Sequence, residues 1–113
     1  MTERQLFFEK HINIIKENRC KCQECGDRLF GIHGEIAHIL NKSYFKSVEL
    51  EDDNVIYLCG QFSKNNCHGK LDNTKLSIVK EMNIYNTLCE RYNTLKEKVK
   101  EKINYKIDER FGS

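Results

Sequence analysis

The N-terminal segment carries aromatic and aliphatic side chains at helical intervals, at Leu6, Phe7, His11, Ile14 and Ile15. Thr2 and Gln5, three positions apart, have the form of a capping box, in which each residue satisfies a backbone N–H of the other. The pattern predicts an amphipathic helix over residues 3–18.

The middle of the chain has a different pattern. Glycines fall at positions 26, 31, 34 and 60, and two short apolar runs at 35–40 and 55–58 lie between them. Short apolar runs bounded by turn-forming residues are typical of strands.

The C-terminal third has no glycine between Asn73 and Gly112. Its apolar residues repeat at threes and fours, at Ile84, Leu88, Tyr92, Leu95, Val99, Ile103 and Ile107. This stripe predicts one or two helices, packed on the domain or on a second copy of the chain. A homodimer through these helices therefore remains open.

The order of these elements predicts one α+β domain over residues 1–113, divided into an N-terminal helix (1–19), a central core (20–73) and a C-terminal helical extension (74–113). The formal net charge of +2 is too small to identify a polyanionic partner. No apolar run is long enough to cross a bilayer, and Glu9 and Lys10 interrupt the only N-terminal apolar cluster. We therefore expect a cytoplasmic protein without a membrane partner.

Six cysteines in a reducing compartment favour metal ligation over disulfides. Cys22 and Cys25 with the following Gly26 have the spacing of a zinc knuckle, and Cys59 and Cys67 form a second pair. Four thiolates predict a closed, structural Zn²⁺ site. Cys20 fits the knuckle spacing less well than Cys22, and Cys89, in the helical stripe, is interpreted as a buried free thiol.

Between the two cysteine pairs lie the segments Glu35-Ile-Ala-His38-Ile-Leu and Asp52-Asp-Asn54-Val-Ile-Tyr-Leu-Cys59, followed by Asn66-Cys67-His68-Gly-Lys-Leu-Asp72. In this order, residues 22–73 resemble the HNH endonuclease family. The resemblance implies a ββα-metal, treble-clef-like fold and metal-dependent cleavage of DNA. It implies that His38 is the general base, that Asn54 holds the loop that orients this base, and that His68 binds a catalytic Mg²⁺ or Mn²⁺.

The residue types suit this chemistry. A histidine with an ordinary pKa of about 6.5 accepts a proton from water near neutral pH. His68 and Asp72 stand four residues apart, so both reach one ion if a helix begins near Cys67. Lys42, Lys46, Lys64 and Lys70 would contact the phosphate backbone.

The chain also departs from the family. Ala37 stands where relatives commonly carry a second metal ligand, so that Asp72, Glu35 or solvent must take this role, and we favour Asp72. Seven residues separate Cys59 from Cys67, more than in the usual knuckle. His68 could alternatively replace Cys67 in a Cys₃His zinc site, whereas His11 and His33 are interpreted as surface or packing residues.

Two other functions compete with the nuclease. The first is a zinc-braced nucleic-acid or protein-binding module that has lost cleavage. The second is a redox protein that uses Cys22 and Cys25, which the sequence disfavours because it contains no strand-to-helix redox unit around them.

Overall fold

The computed structural model describes residues 1–73 and 75–111 as an α+β fold. Two short strands, β1 (Ile36–His38) and β2 (Val55–Tyr57), form a sheet. The helices are α1 (Glu3–Asn18), α2 (Cys67–Asn73), α3 (Leu76–Val79), α4 (Tyr85–Leu95) and α5 (Tyr105–Phe111).

Helix α1 confirms the predicted N-terminal helix and its cap. The Thr2 hydroxyl accepts from the Gln5 backbone N–H at 3.1 Å, and the Gln5 side chain accepts from the Thr2 backbone N–H at 2.9 Å. Its buried residues are Phe7, Phe8, His11 and Ile15. The expectation that Leu6 belongs to the buried face is wrong, since Leu6 is 54% exposed and Phe8 takes its place.

Strands β1 and β2 confirm the two predicted strands. They pair antiparallel, with Ile36 opposite Tyr57, Ala37 opposite Ile56 and His38 opposite Val55. Ala37 and Ile56 are buried in the core. The sheet therefore presents His38 from the end of β1, next to the loop that joins the strands.

The C-terminal stripe forms two helices, α4 and α5, within the predicted one or two, and the short helix α3 precedes it. Ile84, Leu88, Tyr92 and Leu95 are buried in the core of the same chain. The stripe breaks after Leu95 because the chain there bonds to the loop that follows β1. The Ser47 N–H donates to the Glu101 carboxylate at 3.1 Å, and the Lys100 N–H donates to the Ser47 hydroxyl at 3.0 Å.

Among the described residues, no helix has both the length and the apolar character that crossing a bilayer requires.

Candidate functional site

The first cysteine pair lies in a tight turn. The Cys22 N–H donates to the Asp27 carbonyl at 2.8 Å, and the Gly26 N–H donates to the Cys22 carbonyl at 2.9 Å. Gly26 has a φ of 80°, a left-handed conformation that glycine adopts without steric cost. The turn therefore needs this glycine directly after Cys25.

The second pair joins the sheet to α2. Cys59 follows β2, and Cys67 is the first residue of α2. The seven residues between them fold back onto the first turn, because the Asp27 carboxylate accepts from the Ser63 hydroxyl at 3.1 Å and from the Asn65 amide at 3.0 Å. The inserted loop is therefore compatible with bringing both pairs together.

The sulfur atoms of Cys22, Cys25, Cys59 and Cys67 all lie within 4.8 Å of one another. Cys25 Sγ and Cys59 Sγ are 3.7 Å apart. Tetrahedral Zn²⁺ with four thiolates sets neighbouring sulfurs about 3.8 Å apart. Burial raises the pKa of the Cys67 thiol well above its ordinary value, so a cation among the sulfurs is what would favour thiolates here. These four cysteines could hold one zinc ion.

The other cysteines lie outside this cluster. The Cys20 thiol is directed at the Ile14 carbonyl, 3.7 Å away, and Cys89 is half-buried in α4 rather than fully buried as expected. The two ring nitrogens of His68 contact Gly34 and Asp72 instead of the cluster. These contacts disfavour the alternative in which His68 replaces Cys67 as a zinc ligand.

His68 is held on three sides by the structure around it. Its Nδ1–H donates to the Gly34 carbonyl at 2.7 Å, and its backbone N–H donates to the Cys59 carbonyl at 3.0 Å. Its Nε2 lies 3.2 Å from Asp72 Oδ2, one turn further along α2. The hydrogen bond with Asp72 raises the pKa of His68. The helical spacing thus pairs the two predicted ligands.

His38 lies at the end of β1 with its ring partly buried. Its Nε2 donates to the Glu49 carbonyl at 3.0 Å. Burial lowers the pKa of His38 below its ordinary value, so the ring is neutral at neutral pH. Because Nε2 carries the proton, the lone pair is on Nδ1.

Asn54 is fully buried directly before β2, and its side chain bonds to the loop between the strands. Its Oδ1 accepts from the Leu40 N–H at 2.7 Å, and its Nδ2 donates to the carbonyls of Leu40 and Val48, both at 3.1 Å. Asn54 therefore fixes the chain on both sides of the segment that leads to Glu49.

His38, His68 and Asp72 line one cleft of about 820 Å³. Three cationic side chains from distant parts of the chain line it too: Arg4, Lys42 and Arg110. Of the four lysines predicted to meet phosphate, all in the described part of the chain, Lys42 alone lines this cleft. Arg4 and Arg110 escaped the sequence analysis because no local motif marks them.

The two remaining histidines, His33 and His11, both line pockets and pack against neighbouring side chains. His33 lies at the cleft and stacks on Phe8, with ring centroids 5.0 Å apart. His11 is buried between the Tyr57 hydroxyl and the Asp52 carboxylate, at 2.6 and 2.9 Å. Both were interpreted from the sequence as surface or packing residues, and both have packing contacts.

Glu35 does not supply the ligand that Ala37 lacks. Its carboxylate is buried and accepts from the backbone N–H groups of Phe30, Gly31 and Ile32, at 2.9, 2.7 and 3.1 Å. These bonds hold the turn before β1, so Glu35 has a structural role and Asp72 remains the candidate ligand.

No protein-family model, curated protein or solved structure matches the chain.

Proposed function

We propose that this chain is a metal-dependent DNA endonuclease of the HNH type. In this proposal, β1, β2 and α2 form a ββα-metal unit, and the four-cysteine cluster holds a structural Zn²⁺ beside it. The observation that carries the proposal is the arrangement of His38 and the His68–Asp72 pair around one cleft.

The fit of a catalytic metal to α2 supports this function. Two neighbouring ligands of an octahedral Mg²⁺ with bonds of about 2.1 Å lie about 3 Å apart. His68 Nε2 and Asp72 Oδ2 are separated by 3.2 Å. The Gly34 carbonyl fixes the proton of neutral His68 on Nδ1 and leaves Nε2 as the ligand atom. A divalent ion held there would supply positive charge to a phosphate oxygen and to the departing sugar oxygen.

His38 has the tautomer and the protonation state that a general base needs. With Nε2–H donated to Glu49, the Nδ1 lone pair takes a proton from water as the water attacks phosphorus. The bond from phosphorus to the 3′ oxygen then breaks and this oxygen takes a proton from solvent, which releases a 5′-phosphate and a 3′-hydroxyl.

The charge around the cleft suits a phosphodiester backbone. Lys42 and Arg110 reach it from the loop after β1 and from α5, while the charge of Arg4 on α1 is paired with Glu49. Phosphate contacts of this kind position DNA without reading its sequence. One such centre cuts one strand, so a double-strand cut needs two copies, joined for example through the C-terminal helices, or two encounters.

A second function, a zinc-braced module that binds nucleic acid or protein without cleaving it, is favoured by one observation. Ala37 is fully buried opposite Ile56, so the position before the base offers no ligand to the cleft. A catalytic ion would then have only His68 and Asp72 as protein ligands, with water and the substrate completing its coordination.

Cleavage of supercoiled plasmid in Mg²⁺ or Mn²⁺ separates the two functions. The nuclease predicts nicking by the wild type and a loss of about 10²-fold or more in His38→Ala, the usual contribution of a general base. Glu81→Gln, an exposed change in the turn between α3 and α4, is the control and should cut like the wild type. Inert wild-type protein across several divalent ions would favour the binding module, and equal activity of wild type and His38→Ala would refute the role of His38.

A further inference from the structure

The backbone of Glu49 orients the proposed base. His38 Nε2 lies 3.0 Å from the Glu49 carbonyl oxygen, and a carbonyl only accepts. The position of this carbonyl therefore selects the Nε2–H tautomer of His38, which places the lone pair on Nδ1.

The side chain of Glu49 ties the same residue to the N-terminal helix. The Glu49 side chain is 10% exposed, and its carboxylate faces the guanidinium of Arg4 in two places. Arg4 Nε lies 2.8 Å from Oε2, and Arg4 Nη2 donates to Oε1 at 3.1 Å. The pair joins residues that are 45 positions apart in the chain.

The two partners differ in how far they depend on each other. The Arg4 side chain is 63% exposed, whereas that of Glu49 is 10% exposed. An arginine at this exposure stays hydrated without its partner. A carboxylate as buried as that of Glu49 is costly without a counter-charge and would turn toward water. Since Glu49 follows the short 3-10 turn Lys46–Val48, such a movement would carry its carbonyl away from His38.

Asn54 restrains the same turn from the opposite side through the Val48 carbonyl. The position of the Glu49 backbone is thus set by a buried amide within the loop and by an ion pair with α1.

We propose that Arg4 is a positioning residue, which neutralises the Glu49 carboxylate and thereby holds the carbonyl that orients His38. This inference rests on the proposed role of His38 as general base, and it gives α1 a function in the chemistry beyond its packing.

The first test reads the ring of His38 directly and needs no activity. Long-range ¹H–¹⁵N NMR of the full chain should show the Nε2–H tautomer at His38 in the wild type. Arg4→Gln should lose this preference, and the double variant Arg4→Gln/Glu49→Gln should regain it because no unpaired buried charge remains. An Arg4→Gln spectrum with the His38 tautomer unchanged would overturn the inference, whether or not the protein cuts DNA.

The second test uses steady-state cleavage of a DNA duplex in saturating Mn²⁺. A displaced base lowers kcat, so Arg4→Gln should lose about tenfold in kcat with KM within about twofold. Arg4→Lys should retain more of the kcat than Arg4→Gln, and the double variant should recover most of it. Circular dichroism of each variant should match the wild type, and the double variant serves as a second test if Arg4→Gln folds poorly.

Lys10→Gln is the matched control. Lys10 also lies on α1 and pairs with the same loop, at Asp52, 2.8 Å away, but both side chains are more than half exposed. The kcat and KM of Lys10→Gln should equal those of the wild type. If Arg4→Gln instead raises KM at unchanged kcat, and Glu49→Gln gives no rescue, Arg4 contacts the DNA phosphates and the positioning role is refuted. A wild type that does not cut at all refutes the nuclease, while the NMR result still decides the role of Arg4.

Discussion

A Cβ atom on Gly60 would lie 3.0 Å from the carbonyl oxygen of Gly34. That carbonyl accepts the Nδ1–H of His68, so a glycine directly after Cys59 of the cysteine cluster allows the contact that orients a residue of the cleft. The cysteine cluster and the proposed catalytic centre are therefore linked through the backbones of two glycines.

Replacing Gly60 with alanine should weaken metal binding in the cleft. The added methyl group must displace the Gly34 carbonyl, and changes to groups that orient a metal ligand typically cost 10–100-fold in affinity. We expect Gly60→Ala to bind Mn²⁺ about tenfold or more weakly by calorimetry, with its zinc content unchanged. Equal Mn²⁺ affinity in the two folded proteins would show that the Gly34 carbonyl does not control His68.

The cysteine cluster should bind one zinc ion per chain, which elemental analysis can count. Cys25→Ser removes one of the four sulfurs and should lower both the zinc content and the melting temperature, by about 10 °C or more if a few kcal/mol are lost. Cys20→Ser, which alters a thiol outside the cluster, is the control and should retain the zinc and the stability of the wild type. Zinc loss in Cys20→Ser with retention in Cys25→Ser would contradict the assignment.

Asn54→Ala should be strongly destabilising. The substitution leaves the Leu40 N–H and the carbonyls of Leu40 and Val48 without their buried partner. At about 1 kcal/mol for each net hydrogen bond, unfolding in urea should show a loss of about 2–4 kcal/mol. Asn54→Asp keeps an acceptor for Leu40 but cannot donate, so its loss should be comparable. A loss below about 0.5 kcal/mol for Asn54→Ala would mean that these bonds do not hold the loop.

The pH dependence of cleavage should report His38. The neutral ring is the active form, and burial lowers the pKa of His38, so at saturating Mn²⁺ the midpoint of the acid limb should lie below pH 6.5. The rate should fall only as the pH drops through the lowered pKa of the folded protein and the ring becomes protonated. An acid limb centred above pH 6.5 under these conditions would show that another group limits the rate.

The features that could be predicted from the sequence are those that depend on the spacing of nearby residues. The capping box at Thr2 and Gln5, the two strands and the clustering of the four cysteines follow from residues close together or from a shared metal chemistry. The pairing of His68 with Asp72 follows from their separation by one helical turn.

Other features depend on contacts between distant segments and left no local signal. Arg4 and Arg110 reach the cleft only because α1 and α5 pack around it. The break between α4 and α5 follows from bonds of Lys100 and Glu101 to Ser47, which helical periodicity cannot reveal. The buried carboxylate of Glu35 is held by three backbone N–H groups. The sequence alone does not distinguish such a structural carboxylate from a metal ligand.

The most direct test of the proposed catalytic centre is anomalous diffraction from crystals of the full chain soaked in Mn²⁺. We predict a manganese peak in the cleft, bonded to His68 Nε2 and the Asp72 carboxylate and facing His38, and a separate zinc peak among the four sulfurs. The manganese peak should be absent from crystals of Asp72→Asn or greatly weakened there. A fully soaked wild-type crystal with zinc at the sulfurs and no manganese beside His68 would contradict the account.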